Sequence, residues 1–302
     1  MLGSVRIKLA TIVLAMAILA ANDLHAQVSS APGTLVYYLS TNTAAYANGH
    51  SPGQDAECEV SGWSYMQYSG ANFFLLSNAV WSSSFWLKGV QGLSATAIGI
   101  SNSLAGQGLI TMISPRHYLH ARHMGTVHTM VAFLGTNNVI YLRYPLEQAQ
   151  AGPDTDVGIL NEDVPPAVGF LPVLPANYIN WLHADSYVQG IGMNQDLMLF
   201  SEPMGIGRGP FIAWDSRVTA PKGLAAPWNA GLRGGDSSNP AMLLMGNQLV
   251  LVSHNYFAQG GPNYAQQISL INKQMHYLSE HNDAGSDYQL TQYSLTNWPV
   301  TH

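Results

Sequence analysis

The hexapeptide Gly235-Asp236-Ser237-Ser238-Asn239-Pro240 places a serine on a glycine-supported bend. Ahead of it runs the flexible stretch Ala230-Gly231-Leu232-Arg233-Gly234, and behind it come two apolar runs joined by Gly246-Asn247. A Gly-Asn pair between such runs is a tight-hairpin signal. A hydroxyl presented on that rigid base can attack a carbonyl carbon if a neighbouring group removes its proton. Histidine suits the task, because its unperturbed pKa of about 6.5 lets it take up and return a proton near neutrality. A carboxylate behind the histidine fixes the tautomer and stabilises the imidazolium without becoming protonated. Upstream the chain supplies a group of histidines, His117, His120, His123 and His128, followed by two candidate acids, Asp154 and Asp156.

The order and surroundings of these residues select among them. Leu109-Ile110-Thr111-Met112-Ile113-Ser114-Pro115-Arg116-His117-Tyr118-Leu119-His120-Ala121-Arg122-His123 is an apolar strand followed by a Ser-Pro-Arg-His turn and a closing histidine. Asp156-Val157-Gly158-Ile159-Leu160 is an aspartate opening an apolar run, and Gly235-Asp236-Ser237 precedes the hairpin. In these three motifs and their order the chain resembles the chymotrypsin-like serine peptidases, over roughly residues 93–280. The resemblance implies His123 as general base, Asp156 as its acid and Ser237 as nucleophile. Asp156 is preferred to Asp154 because it opens the apolar run as the family motif does. The backbone N–H groups of Gly235 and Ser237 are the implied oxyanion donors. Val252-Ser253-His254-Asn255 would form one wall of a substrate pocket, with Gly231 near its base. No acidic residue stands at that base, which speaks against a preference for Lys or Arg. Three positions depart from the family pattern: Ser238 where glycine is usual, Arg122 where a small residue is usual, and His120 in place of threonine.

A metal centre is not expected from the histidines, since no Cys or Glu completes a ligand set and an extended strand turns His117 and His120 to opposite faces. No cofactor is implied. Two other readings stay open. One is a catalytically impaired pseudo-peptidase, and the other is a secreted carbohydrate- or ligand-binding β-protein that uses the aromatics of residues 61–92.

Such a site needs a frame, and the spacing of short apolar runs predicts an all-β one. Ala95–Ser101 with Gly108–Ser114, Val131–Leu134 with Val139–Tyr144, and Ala241–Ser253 read as hairpins. Asp156–Leu160, Leu197–Phe200 and Phe211–Trp214 read as further strands, and Tyr288–Leu295 is strand-like. Gln267–Glu280 carries Ile268, Ile271, Met275 and Leu278 at helical spacing. With the resemblance, the expectation is two six-stranded antiparallel β-barrels, the site between them, a C-terminal helix and an N-terminal extension. The segments are a signal peptide at 1–26, an aromatic-rich extension at 27–92, a first barrel at 93–166 and a second barrel with helix and tail at 167–302. Residues 27–60 read as irregular apart from one strand at Thr34–Leu39, and the aromatics from Trp63 to Trp86 as packing onto the first barrel.

Composition bounds the rest. The 302 residues can bury a large core. Arg6 and Lys8, the apolar run Leu9–Ala21 and Leu24-His25-Ala26 have the make-up of a secretory leader cut after Ala26, with Ala20 or Ala21 as alternatives. A secreted or periplasmic protein without a membrane anchor after cleavage is therefore expected. Charged residues are only 9% of the chain and the net charge is −6, with no Lys/Arg stripe, which argues against nucleic acid as a partner. The expected partner is a polypeptide substrate. Cys58 stands alone, so no intrachain disulfide is possible, and packing must hold the sheets as in bacterial secreted members of the family.

Overall fold

The computed structural model describes residues 33–49, 60–61, 64–68, 71–75, 80–81, 87–99, 109–127, 130–182, 191–194, 211–215, 229–230, 237–254 and 261–300. The fold is all-β, built on two sheets that are antiparallel but for one short pair, with a helix near the C-terminus. Among the described residues helix α1 (Leu35–Ala47) comes first, followed by four short strands, β1 (Val60–Ser61), β2 (Ser64–Tyr68), β3 (Ala71–Leu75) and β4 (Val80–Trp81). β1 pairs with β4, and β2 with β3. The first large sheet comprises β5 (Thr96–Gly99), β6 (Leu109–Met112), β7 (His117–Ala121), β8 (Val131–Leu134), β9 (Ile140–Arg143), β10 (Pro145–Gly152) and β11 (Thr155–Leu160). Its order is β10-β11-β7-β6-β5-β8-β9. The second comprises β12 (Ile191–Asn194), β13 (Phe211–Asp215), β14 (Asn229–Ala230), β15 (Pro240–Met245) and β16 (Gln248–His254), in the order β14-β13-β12-β15-β16. Among the described strands only β13 and β14 run parallel. Among the described residues the sheets thus hold seven and five strands rather than six each.

The three expected hairpins pair as expected, and two of them show a local cause. In β15–β16, Met245 pairs with Gln248 around Gly246 at φ +63°. A positive φ at the first of two loop residues gives the turn that matches strand twist, and glycine reaches it without steric cost. Between β8 and β9, Asn138 takes φ +59° and its N–H donates to the Gly135 carbonyl at 2.9 Å. β15 reads as an unbroken apolar run because both of its faces are covered. Met242 and Leu244 point into a core shared with Ile110, Met112, Leu119, Val157 and Ile159 of the first sheet. Leu243 and Met245 point the other way, into a second core with Leu35, Leu39, Trp181 and Leu295.

That second core corrects the reading of the N-terminal segment. Residues 35–47 form a helix, not a strand at Thr34–Leu39. Thr34 is the N-cap, its side chain accepting from the Tyr37 N–H at 3.3 Å. Leu35, Leu39 and Thr43, four apart, are all buried. The Asn42 amide donates to the carbonyls of Leu244 and Gly246 at 3.1 and 3.2 Å, fastening α1 to the second sheet. The extension touches the first sheet through Trp81, whose Nε1 donates to the Gly135 carbonyl at 3.1 Å. Tyr65, Tyr68, Phe73 and Phe74 lie in β2 and β3, whose side chains fall outside the described residues, as do Cys58, Trp63 and Leu197–Phe200 altogether.

Helix α2 (Tyr264–His281) starts three residues before the apolar spacing predicts, because Tyr264 and Ala265 are buried in its first turn. Ile271, Met275 and Leu278 are fully buried where α2 packs on β10, β11 and β16. Burying each contributes on the order of 2 kcal/mol. The stretch after it, 288–295, is not a strand: it makes a single bridge, Gln292 to Val173, which also bridges Leu251. Three backbone bonds of 2.8–2.9 Å hold the proline-rich connector there, to β16 and to the C-terminal tail. Among the described residues no helix is long and apolar enough to cross a membrane.

Candidate active site

Strand β7 is the site's foundation, and all five of its residues are buried. The turn before it is locked by Ser114, whose Oγ accepts from the N–H of both Arg116 and His117, at 3.2 and 2.8 Å. The Arg116 guanidinium then donates to the carbonyls of Leu160, Asn161 and Ala284, tying the start of β7 to the end of β11 and the tail of α2. His117 completes the anchor: its ring meets Ser114 Oγ at 2.9 Å and Ser279 Oγ of α2 at 3.2 Å. Burial lowers its pKa to about 4, so it is a neutral structural group. His120 is buried too, with its pKa also lowered to about 4 by burial, and neither ring nitrogen has a hydrogen-bond partner among the described residues. The Ser-Pro-Arg-His motif is thus a strand anchor.

β7 ends at Ala121, and a single 3-10 turn, Arg122–Met124, swings His123 out of the sheet. The Gly125 N–H closes that turn on the Arg122 carbonyl at 2.9 Å, with Gly125 at φ +80°. His123 emerges with its side chain 41% exposed. Its Nε2 lies 2.7 Å from Ser237 Oγ. Its Nδ1 lies 2.8 Å from Asp154 Oδ2, and its backbone N–H donates to Asp154 Oδ1 at 2.9 Å. A proton on Nδ1 satisfies both ring contacts: Nδ1–H donates to the carboxylate, and Nε2 accepts from the serine hydroxyl.

The carboxylate that contacts His123 therefore differs from the expected one. Asp154, not Asp156, meets His123, and antiparallel register is the reason. β7 and β11 pair Ala121 with Thr155 and His120 with Asp156. Each step forward on β7 is a step back on β11, so His123, two residues past Ala121, faces the Pro153-Asp154 turn. The Arg122 N–H donates to the Asp154 carbonyl at 3.2 Å, holding that turn against the end of β7. Asp156 lies three residues up the ladder from Pro153, about 10 Å at strand rise. There it shares a face with Gly158 and with Tyr118, whose phenol lies across Gly158 where a Cβ would stand. Burial raises the Asp156 pKa, the Arg122 charge opposes this, and the Asp154 charge adds to it. The apolar run after Asp156 marks where the strand is buried, and it carries no information on which aspartate reaches the end of β7.

Ser237 opens the turn into β15 and is half-buried, followed by buried Ser238 and Asn239. Ser238 takes φ +75°. Its Oγ accepts the Ala121 N–H at 2.8 Å, joining the serine turn to the end of β7. Motif comparison marks Ser238 only as a departure and gives no hint of this bond. Of the expected pocket wall, Ser253 and His254 are buried, with 5% and 2% exposure. Ser253 Oγ donates to the His254 carbonyl at 3.1 Å, and His254 Nδ1 is engaged by the Tyr264 hydroxyl of α2. That bond turns His254 Nδ1 toward the helix. Gly231, Gly235 and Asn255 lie outside the described residues.

A separate concave feature of about 360 Å³ lies between the extension and the first sheet, lined by Trp81, Lys88, Leu93, Thr136 and Asn138. Trp81 spends both its N–H groups on Asn138 Oδ1 and the Gly135 carbonyl, which fits a packing role.

No protein-family model matches the chain, and no curated protein matches it. Among solved structures it is similar to human heparin binding protein (CAP37). A point mutant of that protein is 12% identical with a TM-score of 0.42, covering 60% of this chain and 90% of that one. Its atomic-resolution structure is 13% identical at the same TM-score, covering 61% and 91%.

Proposed function

We propose that the chain is an exported serine endopeptidase in which Ser237 is the nucleophile, His123 the general base and Asp154 the acid. The observation that carries this reading is the unbroken line from Ser237 Oγ to His123 Nε2 at 2.7 Å and from His123 Nδ1 to Asp154 Oδ2 at 2.8 Å. These are the contacts that nucleophile and base need before reaction. As Ser237 Oγ bonds to the substrate carbonyl carbon, its proton passes to His123 Nε2. Negative charge then gathers on the carbonyl oxygen, where the N–H groups of Gly235 and Ser237 are the proposed donors. The imidazolium, steadied by Asp154, returns the proton to the departing amine as the C–N bond breaks. Water, deprotonated by the same imidazole, then hydrolyses the acyl-serine ester and restores the hydroxyl.

Two features support a polypeptide substrate. His123 stands at an open surface, where an extended chain can reach it, rather than in a closed cavity. The residue motifs resemble those of peptidases, and the leader expected at 1–26 fits an exported enzyme. The test is cleavage of a mixed peptide library, with products identified by mass. The wild type should cut internal peptide bonds, and Ser237→Ala should cut at least about 10⁴-fold more slowly. Equal cleavage by the variant would overturn the assignment.

A further inference from the structure

The residue after the nucleophile occupies a backbone conformation that its own side chain disfavours. Ser238 sits at φ +75°, in the left-handed region, where a side chain costs on the order of 1 kcal/mol and glycine fits freely. The side chain held at that cost is 1% exposed and makes one specific contact. Its Oγ accepts the Ala121 N–H at 2.8 Å, across a sequence separation of 117.

The donor's place in the sheet gives the contact its significance. The β6–β7 ladder runs only through Met112–Tyr118 and Thr111–Leu119, so Ala121 lies past its end. On the other side, the Arg122 N–H bonds to the Asp154 carbonyl, which makes Ala121–Thr155 the kind of pair whose own N–H groups point away from the ladder. The Ala121 N–H is therefore a buried donor that neither neighbouring strand takes, and Ser238 supplies the acceptor. Ala121 is the last residue before the 3-10 turn that carries His123. Ser238 is the residue after Ser237. Two bonds thus run side by side between the sheets: Ser237 Oγ to His123 Nε2 at 2.7 Å and Ser238 Oγ to Ala121 N at 2.8 Å.

We infer that Ser238 is a positioning residue, whose hydroxyl fixes the rotation of the serine turn against the strand that carries His123 and so holds Ser237 Oγ on the base. The inference rests on the serine hydrolase reading above, and it makes the hydroxyl at this position a part of the machinery rather than a defect in the motif. The second bond adds a fixed point between the serine turn and the end of β7 beside the proton-transfer contact, and a displacement of about 1 Å at such a point can cost about 100-fold in rate.

Ser238→Gly and Ser238→Ala test it together. Glycine relieves the backbone while removing Oγ, and alanine removes Oγ alone, so folding and positioning separate. Both variants should lower kcat by about 10- to 100-fold with KM changed less than about threefold, the split expected when a group acts on reaction geometry and not on binding. Ser238→Gly should remain folded, with thermal stability no lower than that of Ser238→Ala. Ala121 amide hydrogen exchange supplies a readout that needs no activity: in both variants it should quicken at least tenfold relative to the other amides of β7. Wild-type kcat in Ser238→Gly, or unchanged exchange at Ala121, would overturn the inference while leaving the peptidase reading intact. An inactive wild type whose Ala121 amide still depends on Ser238 would overturn the peptidase reading and the positioning role with it, leaving only a structural brace.

Discussion

Exchanging each of the two aspartates for asparagine separates the acid found at His123 from the one its motif suggests. Asp154 makes two bonds to the same residue, one to the His123 backbone N–H at 2.9 Å and one to Nδ1 at 2.8 Å. Asp154→Asn can keep the first with its amide oxygen. It must then turn its NH₂ toward Nδ1, which forces the ring proton onto Nε2. Nε2 in that tautomer cannot accept from Ser237, and the imidazolium loses its counter-charge. In comparable triads the same exchange lowers kcat by about 10⁴, or about 5.5 kcal/mol at 1.36 kcal/mol per tenfold. Asp156 stands opposite His120 and makes neither contact, so Asp156→Asn should lower kcat less than about tenfold. Turnover of a peptide cleaved by the wild type, measured at saturation alongside thermal melts, decides between them. Both variants should fold, since Asp154→Asn keeps the backbone contact and Asp156 is only half-buried. A 10⁴-fold loss in Asp156→Asn with Asp154→Asn nearly intact would refute the register argument.

Other consequences are structural. His117 and His120 are held neutral with pKa values of about 4, so between pH 6.5 and 4 the unfolded chain takes up protons that the folded chain refuses. Stability is unaffected above that window and falls within it by about 3 kcal/mol for each histidine at pH 4, so urea midpoints should drop steeply between pH 6.5 and 4.5. A flat profile there would contradict the burial of both rings. Gly158→Ala drives a Cβ into the buried Tyr118 phenol and should cost about 2–4 kcal/mol in chemical denaturation; a neutral result would mean that Tyr118 does not cover Gly158. Asn42→Ala removes both side-chain bonds from α1 to the β15–β16 hairpin, and proteolysis around residues 33–49 should speed up severalfold with the triad's reactivity unchanged.

What the sequence carried was whatever periodicity and turn chemistry encode locally. Gly246 and Asn138 mark their hairpins because positive φ selects those residues, and α2 shows because one of its faces is apolar. α1 escaped because Thr34 caps a run rich in Thr, Ser and Tyr, whose burial comes from β15 far along the chain. Ser237 and His123, which lie 2.7 Å apart, could be picked out by their motifs, since each sits at a local turn. The carboxylate beside His123 could not be picked out in the same way. Which of Asp154 and Asp156 reaches His123 depends on the pairing of β7 with β11 and on the 3-10 turn after Ala121, and strand pairing is a non-local property. Ser238 was hidden for the same reason, its partner lying 117 residues away in the other sheet.

The central claim is that Ser237 is a nucleophile activated by His123. A fluorophosphonate probe tests it directly, with the adduct located by peptide mapping of the folded mature chain. The account predicts a single adduct on Ser237, abolished in Ser237→Ala and slowed by orders of magnitude in His123→Ala. Labelling that persists in Ser237→Ala, maps to another residue, or never occurs in the folded wild type would contradict it.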